Sequence, residues 1–137
     1  MLGRYRIIQE VLDEDGNGVV SAWVADELSK GDKARIESRF NQIEINETRN
    51  PKWLDHYISL QMSEIRVDSG GKALRFLCME VGTDVILVVG CVKKGKIKPA
   101  DEQRARARKS DFKKGKLRVR NYPLPQRPPD DVEEPRG

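Results

Sequence analysis

Val85 to Val92 (VILVVGCV) is the only long unbroken apolar run in this chain, and it is rich in β-branched residues. Bounded by Gly82-Thr83-Asp84 on one side and Gly95 on the other, it predicts a strand buried on both faces. A strand buried in that way lies inside a sheet rather than at its edge. Four lysines within six residues, Lys93, Lys94, Lys96 and Lys98, follow at its carboxyl end. An apolar run that exits into dense positive charge is the feature against which the other segments are read.

Alternation of Tyr5, Ile7 and Val11 predicts a first strand over 4–12. Turn residues from Asp13 to Gly18 end it. Ser21 is the candidate N-cap of a short helix over 22–29, and Asp32 that of a longer one reaching about Asn46. Ile36, Phe40, Ile43 and Ile45 fall near one face of the longer helix, so the pair reads as a helical hairpin laid on a sheet. Residues 50–56 read as a loop, with Trp53 and Leu54 plugging an edge of the core; His56 there reads as a surface or hydrogen-bonded residue, with a general base as the lesser alternative. Strands over 57–67, 73–80 and 85–92, joined through Gly70-Gly71 and Gly82, form a three-stranded antiparallel meander. Pairing about those turns makes Arg66 and Arg75 neighbours and sets Arg75 near Val89, roughly 13 Å along the strand from Lys93.

Lys98-Pro99 opens a last helix running to Lys113, with Asp101 and Glu102 in its first turn and lysines in its last. It is expected to pack through Ala100, Ala105, Ala107 and Phe112 and to show Arg104, Arg106, Arg108 and Lys109 to solvent. Five of the seven prolines lie beyond Asn121. Residues 117–137 therefore read as an extended or disordered tail that adds nothing to a core. The fold class is α+β: an N-terminal strand and helical hairpin packed on an antiparallel sheet, with all helices on one face, and a basic C-terminal helix. Residues 1–116 form the single domain.

Charge is distributed unevenly. Residues 1–92 hold 11 basic and 15 acidic side chains, whereas residues 93–120 hold 13 basic and only three acidic ones. A positive block of that density attracts polyanions, of which phosphate backbones are the usual kind. No apolar stretch reaches the roughly 18 residues of a membrane span. The amino terminus lacks the pattern of a secretory signal, so a cytoplasmic location is expected and no membrane partner. Cys78 and Cys91 are the only cysteines. Both sit in apolar strand patterns and are expected to be buried free thiols rather than a metal or disulfide framework.

Three segments, in order, carry a resemblance: Ser63-Glu64-Ile65-Arg66, Leu74-Arg75-Phe76, and Val89-Gly90-Cys91-Val92-Lys93-Lys94-Gly95-Lys96-Ile97-Lys98-Pro99, followed by the helix from Glu102 to Ala107. From Arg4 to Lys114 the chain resembles type II toxins of the RelE/HigB superfamily, in particular the phage-related HigB-like branch. The resemblance implies a small RelE-like fold and a ribosome-dependent mRNA endonuclease that inhibits translation and is silenced by a cognate helix-turn-helix antitoxin. It implies catalysis without metal or cofactor, with Arg66, Arg75, Lys93 and Lys94 as catalytic residues. Lys96, Lys98, Arg104, Arg108 and Lys109 would then bind the mRNA substrate on the ribosome. Two positions depart from the pattern. Leu74 stands where a tyrosine is usual, and Asp111 and Phe112 stand nearest to where a carboxyl-terminal Tyr or His is often catalytic. The alternative reading is a non-catalytic RNA- or ribosome-binding protein that uses the basic 93–120 segment. A lesser one is binding of an acidic protein partner by the last helix.

Overall fold

Hydrophobic alternation and turn glycines become strands and hairpins in a computed structural model of the protein, which describes residues 3–127 apart from the side chain of Ile58. In chain order the elements are β1 (Ile7–Val11), α1 (Val19–Glu27), α2 (Lys30–Ile45), β2 (Leu54–Tyr57), a 3-10 turn (Ile58–Leu60), β3 (Met62–Ser69), β4 (Lys72–Val81), β5 (Asp84–Lys93), α3 (Pro99–Lys113) and β6 (Val119–Asn121). The expected meander is present as β3, β4 and β5. The α+β class holds, consistent with a small RelE-like fold.

The sheet has six strands in the order β2-β3-β4-β5-β1-β6, and it is mixed rather than antiparallel throughout. β1 lies parallel to β5, from Ile7 beside Asp84 to Glu10 beside Leu87. Between them the chain passes over one face as α1 and α2 and then returns through β2, β3 and β4, whereas two strands can be antiparallel neighbours through a tight turn alone. The expectation that all helices share one face is also corrected. Val20, Val24, Ile36, Phe40 and Ile43 pack on one face with Phe76 and Leu87. Ala105 of α3, joined by Phe112, packs on the other with Leu77 and Val89. β5 is thus covered on both sides, as its unbroken apolar run requires.

Several local expectations shift. Ser21 is not an N-cap; Gly18 is, and it supplies no side-chain bond. The Glu10 carboxylate caps α1 instead, accepting from Val20 N at 3.0 Å, Ser21 N at 2.8 Å and the Ser21 hydroxyl at 2.7 Å. A buried carboxylate on free helix amides satisfies donors that would otherwise be orphaned. Asp32 is not the N-cap of α2 either. Ser29 is, and Asp32 closes a reciprocal capping box three residues on. Ile36, Phe40 and Ile43 are buried, but Ile45 is 48% exposed at the helix end. Residues 54–56, read as part of a loop, join Tyr57, read as the start of the next strand, in a separate edge strand β2, which pairs with β3 from Leu54–Ile65 to Tyr57–Met62.

The reading of 117–137 as a tail outside the core does not hold for its first half. β6 pairs with β1, and Tyr122 and Leu124 are buried in the core under α2. Tyr122 packs edge-on against Phe40 at a centroid distance of 5.0 Å. Arg127 then reaches Glu44, a buried carboxylate of α2 that also takes the Ile8 amide at 2.8 Å and Arg4 at 3.2 Å. Residues 128–137 lie outside the described residues.

Two departures reset the β4–β5 register. The turn at Gly82-Thr83 is tighter than expected, pairing Val81 with Asp84, and one extra β5 residue is inserted between the partners of Cys78 and Leu77. That residue is Val88, and as a bulge it lets Val88 and Val89 both join the core on the α3 face. Arg75 consequently pairs with Cys91 rather than Val89.

Gly18 tests the Glu10 cap. A Cβ at Gly18 would lie 2.0 Å from Glu10 Oε2, whereas one at Gly31 meets nothing closer than 3.8 Å. Gly18→Ala is expected to displace the carboxylate and destabilise the fold by about 1–3 kcal/mol. Gly31→Ala, in the first turn of α2, is expected to be neutral or to stabilise by up to about 1 kcal/mol. Urea denaturation of both variants measures the contrast.

Candidate functional site

The hairpin turn at Gly70-Gly71 has both residues at positive φ, +55° and +81°, and it pairs Ser69 with Lys72. From that turn the register follows, placing Arg66 directly opposite Arg75. The two arginines were expected to be neighbours, and they are. Like charges directly opposite across strands repel unless something lies between them.

Glu64 lies between them. It is 4% exposed, on the same face as Arg66 two residues away. Its Oε2 accepts from Arg66 at 3.1 Å, and its Oε1 is 3.9 Å from Arg75 Nε. Neither Glu64 Oε1 nor Arg75 Nε has a hydrogen-bond partner among the described residues, although both are buried. Arg75 donates from its outer nitrogen to its own strand, at Leu74 O, 2.9 Å. Two further carboxylates touch the pair from the rim: Asp55 of β2 at 3.1 Å from Arg66, and Asp68 at 3.5 Å from Arg75. Asp68 is 85% exposed, so its pairing is worth little and is readily exchanged for a competing anion.

The expected lysines divide. Lys93 pairs with Ala73, two residues beyond Cys91, the partner of Arg75, and lies on the arginine face about 7 Å further along β5. It is half-buried. Lys94 alternates to the opposite face, where it lines a groove with Trp23 and Lys98. Lys96 and Lys98 are exposed in the connection to α3, which buried Ile97 pins to the core. Arg66, Arg75 and Lys93 therefore share a face, and Lys94 does not.

α3 closes over that face, and its cations also divide. Arg104 is half-exposed and paired to Asp101 at 2.8 Å. Arg108 does not point to solvent. It donates to Val88 O at 2.6 Å, an acceptor that the bulge takes out of the sheet ladder, and burial lowers its pKa from the usual range. Lys109 is held by Leu60 O at 3.1 Å and Gln61 O at 2.9 Å, and burial lowers its pKa as well. Gln61 is the one non-glycine residue at positive φ among the described residues, +52°. These two side chains clamp α3 to the sheet. Arg106, in contrast, is exposed as expected.

Tyr57 was not anticipated. The register places it on the arginine face of β2, and its hydroxyl hydrogen-bonds Glu102 of α3. Burial, then the bond to Glu102, pushes its pKa up to about 12, so it is a protonated phenol at neutral pH. Its signal in the sequence was the alternation Asp55, Tyr57, which the loop reading of 50–56 interrupted. His56 is exposed on β2. Cys78 and Cys91 are free and buried, and burial pushes Cys91 to about 12 and Cys78 well above its usual value. Neither is a thiolate nucleophile at neutral pH. Among the described residues no three His, Cys, Asp or Glu side chains gather as metal ligands.

The family described as Phage derived protein Gp49-like (DUF891) matches residues 24–110, a span that contains all of Asp55, Tyr57, Glu64, Arg66, Asp68, Arg75, Lys93 and Glu102. No curated protein and no solved structure matches the chain.

The Tyr57–Glu102 contact has a pH signature. A phenol whose folded-state pKa is raised contributes stability that is fully present below its ordinary value near 10 and is lost as pH rises through about 12. Between those pH values the wild type is expected to lose stability more steeply than Tyr57→Phe, measured as urea midpoints. Equal slopes would show that the hydroxyl is not held as described.

Proposed function

The chain belongs to the Gp49-like family of phage-derived proteins, which is associated with RelE/HigB-like toxin–antitoxin modules, and we propose that it is the toxin of such a pair, cutting mRNA on the ribosome. One observation carries this reading. Two arginines stand face to face on adjacent strands, anchored from below by a buried carboxylate, with a half-buried lysine further along the same face.

The chemistry requires an in-line attack of a ribose 2′-oxygen on its own 3′-phosphate, giving a cyclic phosphate as the P–O5′ bond breaks. The 2′-hydroxyl proton must leave and the 5′-oxygen must gain one. Arg66 and Arg75 hold the scissile phosphate and stabilise the charge of the phosphorane, with Lys93 adding to the field. An incoming phosphate takes the places of Asp68 and Asp55 on the guanidinium groups, while Glu64 stays beneath and keeps both arginines aimed. Tyr57, protonated at neutral pH, is a proton donor on the same face. Lys96, Lys98 and Arg104 draw the RNA backbone to the cleft. Arg108 and Lys109 serve by holding α3 in place. The partners are mRNA on the ribosome and a helix-turn-helix antitoxin, and both place the protein in the cytoplasm.

Induced expression tests this. Wild type should arrest growth and cut mRNA, and Arg66→Ala and Arg75→Ala should each lower cleavage on the order of 10²–10³-fold. Harmless expression of folded wild type with intact mRNA would defeat the reading.

Asp111 and Phe112, at the end of α3, favour a second reading, since neither replaces a tyrosine or histidine as a base. Here the basic 93–120 segment binds RNA or the ribosome without cutting it. Binding should then fall steeply with salt, the slope losing about one unit for each phosphate-contacting lysine removed, with RNA length unchanged on gels.

A further inference from the structure

At the carboxyl end of β5, on the face opposite Arg66 and Arg75, a groove runs between α1 and the first turn of α3. Its floor is Trp23, which lies directly on the backbone of Gly90. A Cβ at position 90 would come 2.6 Å from Trp23 Cε3 and 2.9 Å from Cζ3, so only glycine lets the indole rest there. Phe76 meets Trp23 edge-on at 6.1 Å and fixes its tilt. The indole is half-buried, in a slot that Leu28 and Val92 extend with apolar wall.

Three lysines rim this aromatic floor: Lys72, Lys94 and Lys98. Lys94 and Lys98 have no carboxylate within ion-pair distance among the described residues, while Lys72 pairs with Asp32. Glu27 and Asp101 complete the rim and can accept hydrogen bonds, Asp101 with the oxygen that does not hold Arg104. An indole surface, two free ammonium groups and flanking acceptors fit a nucleotide: a base to stack, a phosphate to neutralise and amino groups to receive. They fit an acidic peptide less well, because it brings neither a planar face to stack on the indole nor an amino group for the two carboxylates to accept from. The groove adjoins the strand position that carries the arginine site, since Cys91, the cross-strand partner of Arg75, is among its lining residues. Lys93 and Lys94 are consecutive and project to the two sides of the sheet, so one strand passing the end of β5 meets both.

We propose that the Trp23–Lys94–Lys98 groove is a nucleotide subsite, in which a base of single-stranded RNA near the scissile phosphate stacks on Trp23 with its phosphate on Lys94 and Lys98. This rests on the RNA-cleaving reading and adds where a neighbouring nucleotide goes. Glu27 and Asp101 select bases that carry an amino group facing them, and cytosine is one.

The test uses the full chain with Trp53→Phe, which leaves Trp23 as the only tryptophan. The probe is 2′-O-methyl oligocytidylate, which cannot be cut through its 2′-oxygen. Trp23 emission should fall saturably on titration. Lys94→Ala/Lys98→Ala should raise the apparent Kd on the order of fivefold or more, and Gly90→Ala, which lifts the indole, should abolish the quench. Polyglutamate should leave the emission unchanged. Anisotropy of a labelled oligonucleotide showing tight binding without quench would overturn the proposal, as would the absence of binding at any salt. Equal quenching by polyglutamate would assign the groove to an acidic protein and overturn it too. Growth arrest is read separately. Arrest with a silent Trp23 defeats the groove alone, whereas quenching without arrest keeps the groove and defeats the nuclease.

Discussion

A strand with no polar face has to be covered twice, and β5 imposes that requirement on the rest of the molecule. Its apolar run cannot face water on either side, so one helical hairpin is laid over one face and a third helix over the other. Its two edges also need partners. β4 is joined by a tight turn, but the second edge is filled by β1, which lies parallel and is separated from β5 in the chain by α1, α2 and the strands β2, β3 and β4. The cover on the α3 side is thin in apolar terms, resting on Ala105 and Phe112 with few other residues. That is why side-chain bonds from Arg108 and Lys109 to main-chain carbonyls matter there: they hold a very polar helix where hydrophobic burial alone is modest.

Buried carboxylates organise the opposite side. Glu10 of β1 caps α1, and Glu44 of α2 gathers Arg4, Arg127 and the Ile8 amide. Each is fully buried, and each is met by several donors, the condition under which a buried charge is tolerated. Glu64 is a further member of this set and the least satisfied, with one oxygen that has no partner among the described residues, beside Arg75 Nε, which has none among them either. The polar groups that are incompletely paired thus lie together on one face, and that face is the one with the arginines.

Much of this was legible beforehand because it is local. The stripe Ile36, Phe40, Ile43, the proline opening α3 and the glycine turn that places Arg66 beside Arg75 all depend on residues within one or two turns of each other. What was missed depends on distant partners. β2 and β6 are four and three residues long, too short to show a period, and both exist only because a neighbouring edge was open. Tyr122 and Leu124 lie among prolines that suggest solvent, yet Phe40 and Arg127's partner Glu44 hold that segment in place. Tyr57 was hidden for the same reason as β2. The acceptors of Arg108 and Lys109 arise from a bulge and from a strained Gln61, neither of which has a sequence signature.

The bulge at Val88 has one more consequence. It changes the phase of β5, so that every residue after it faces the side its successor would otherwise have occupied. Without the extra residue, Val92 would stand opposite Ala73, Lys93 would turn toward Trp23 and Lys94 would take the arginine side. Because the two positions are both lysine, each side of the sheet retains an ammonium group in either phase. The doublet keeps a cation on each side of the sheet through a one-residue slip, so β5 can gain or lose a residue by insertion or deletion while the arginine face keeps an ammonium group, at about 13 Å instead of about 7 Å along the strand.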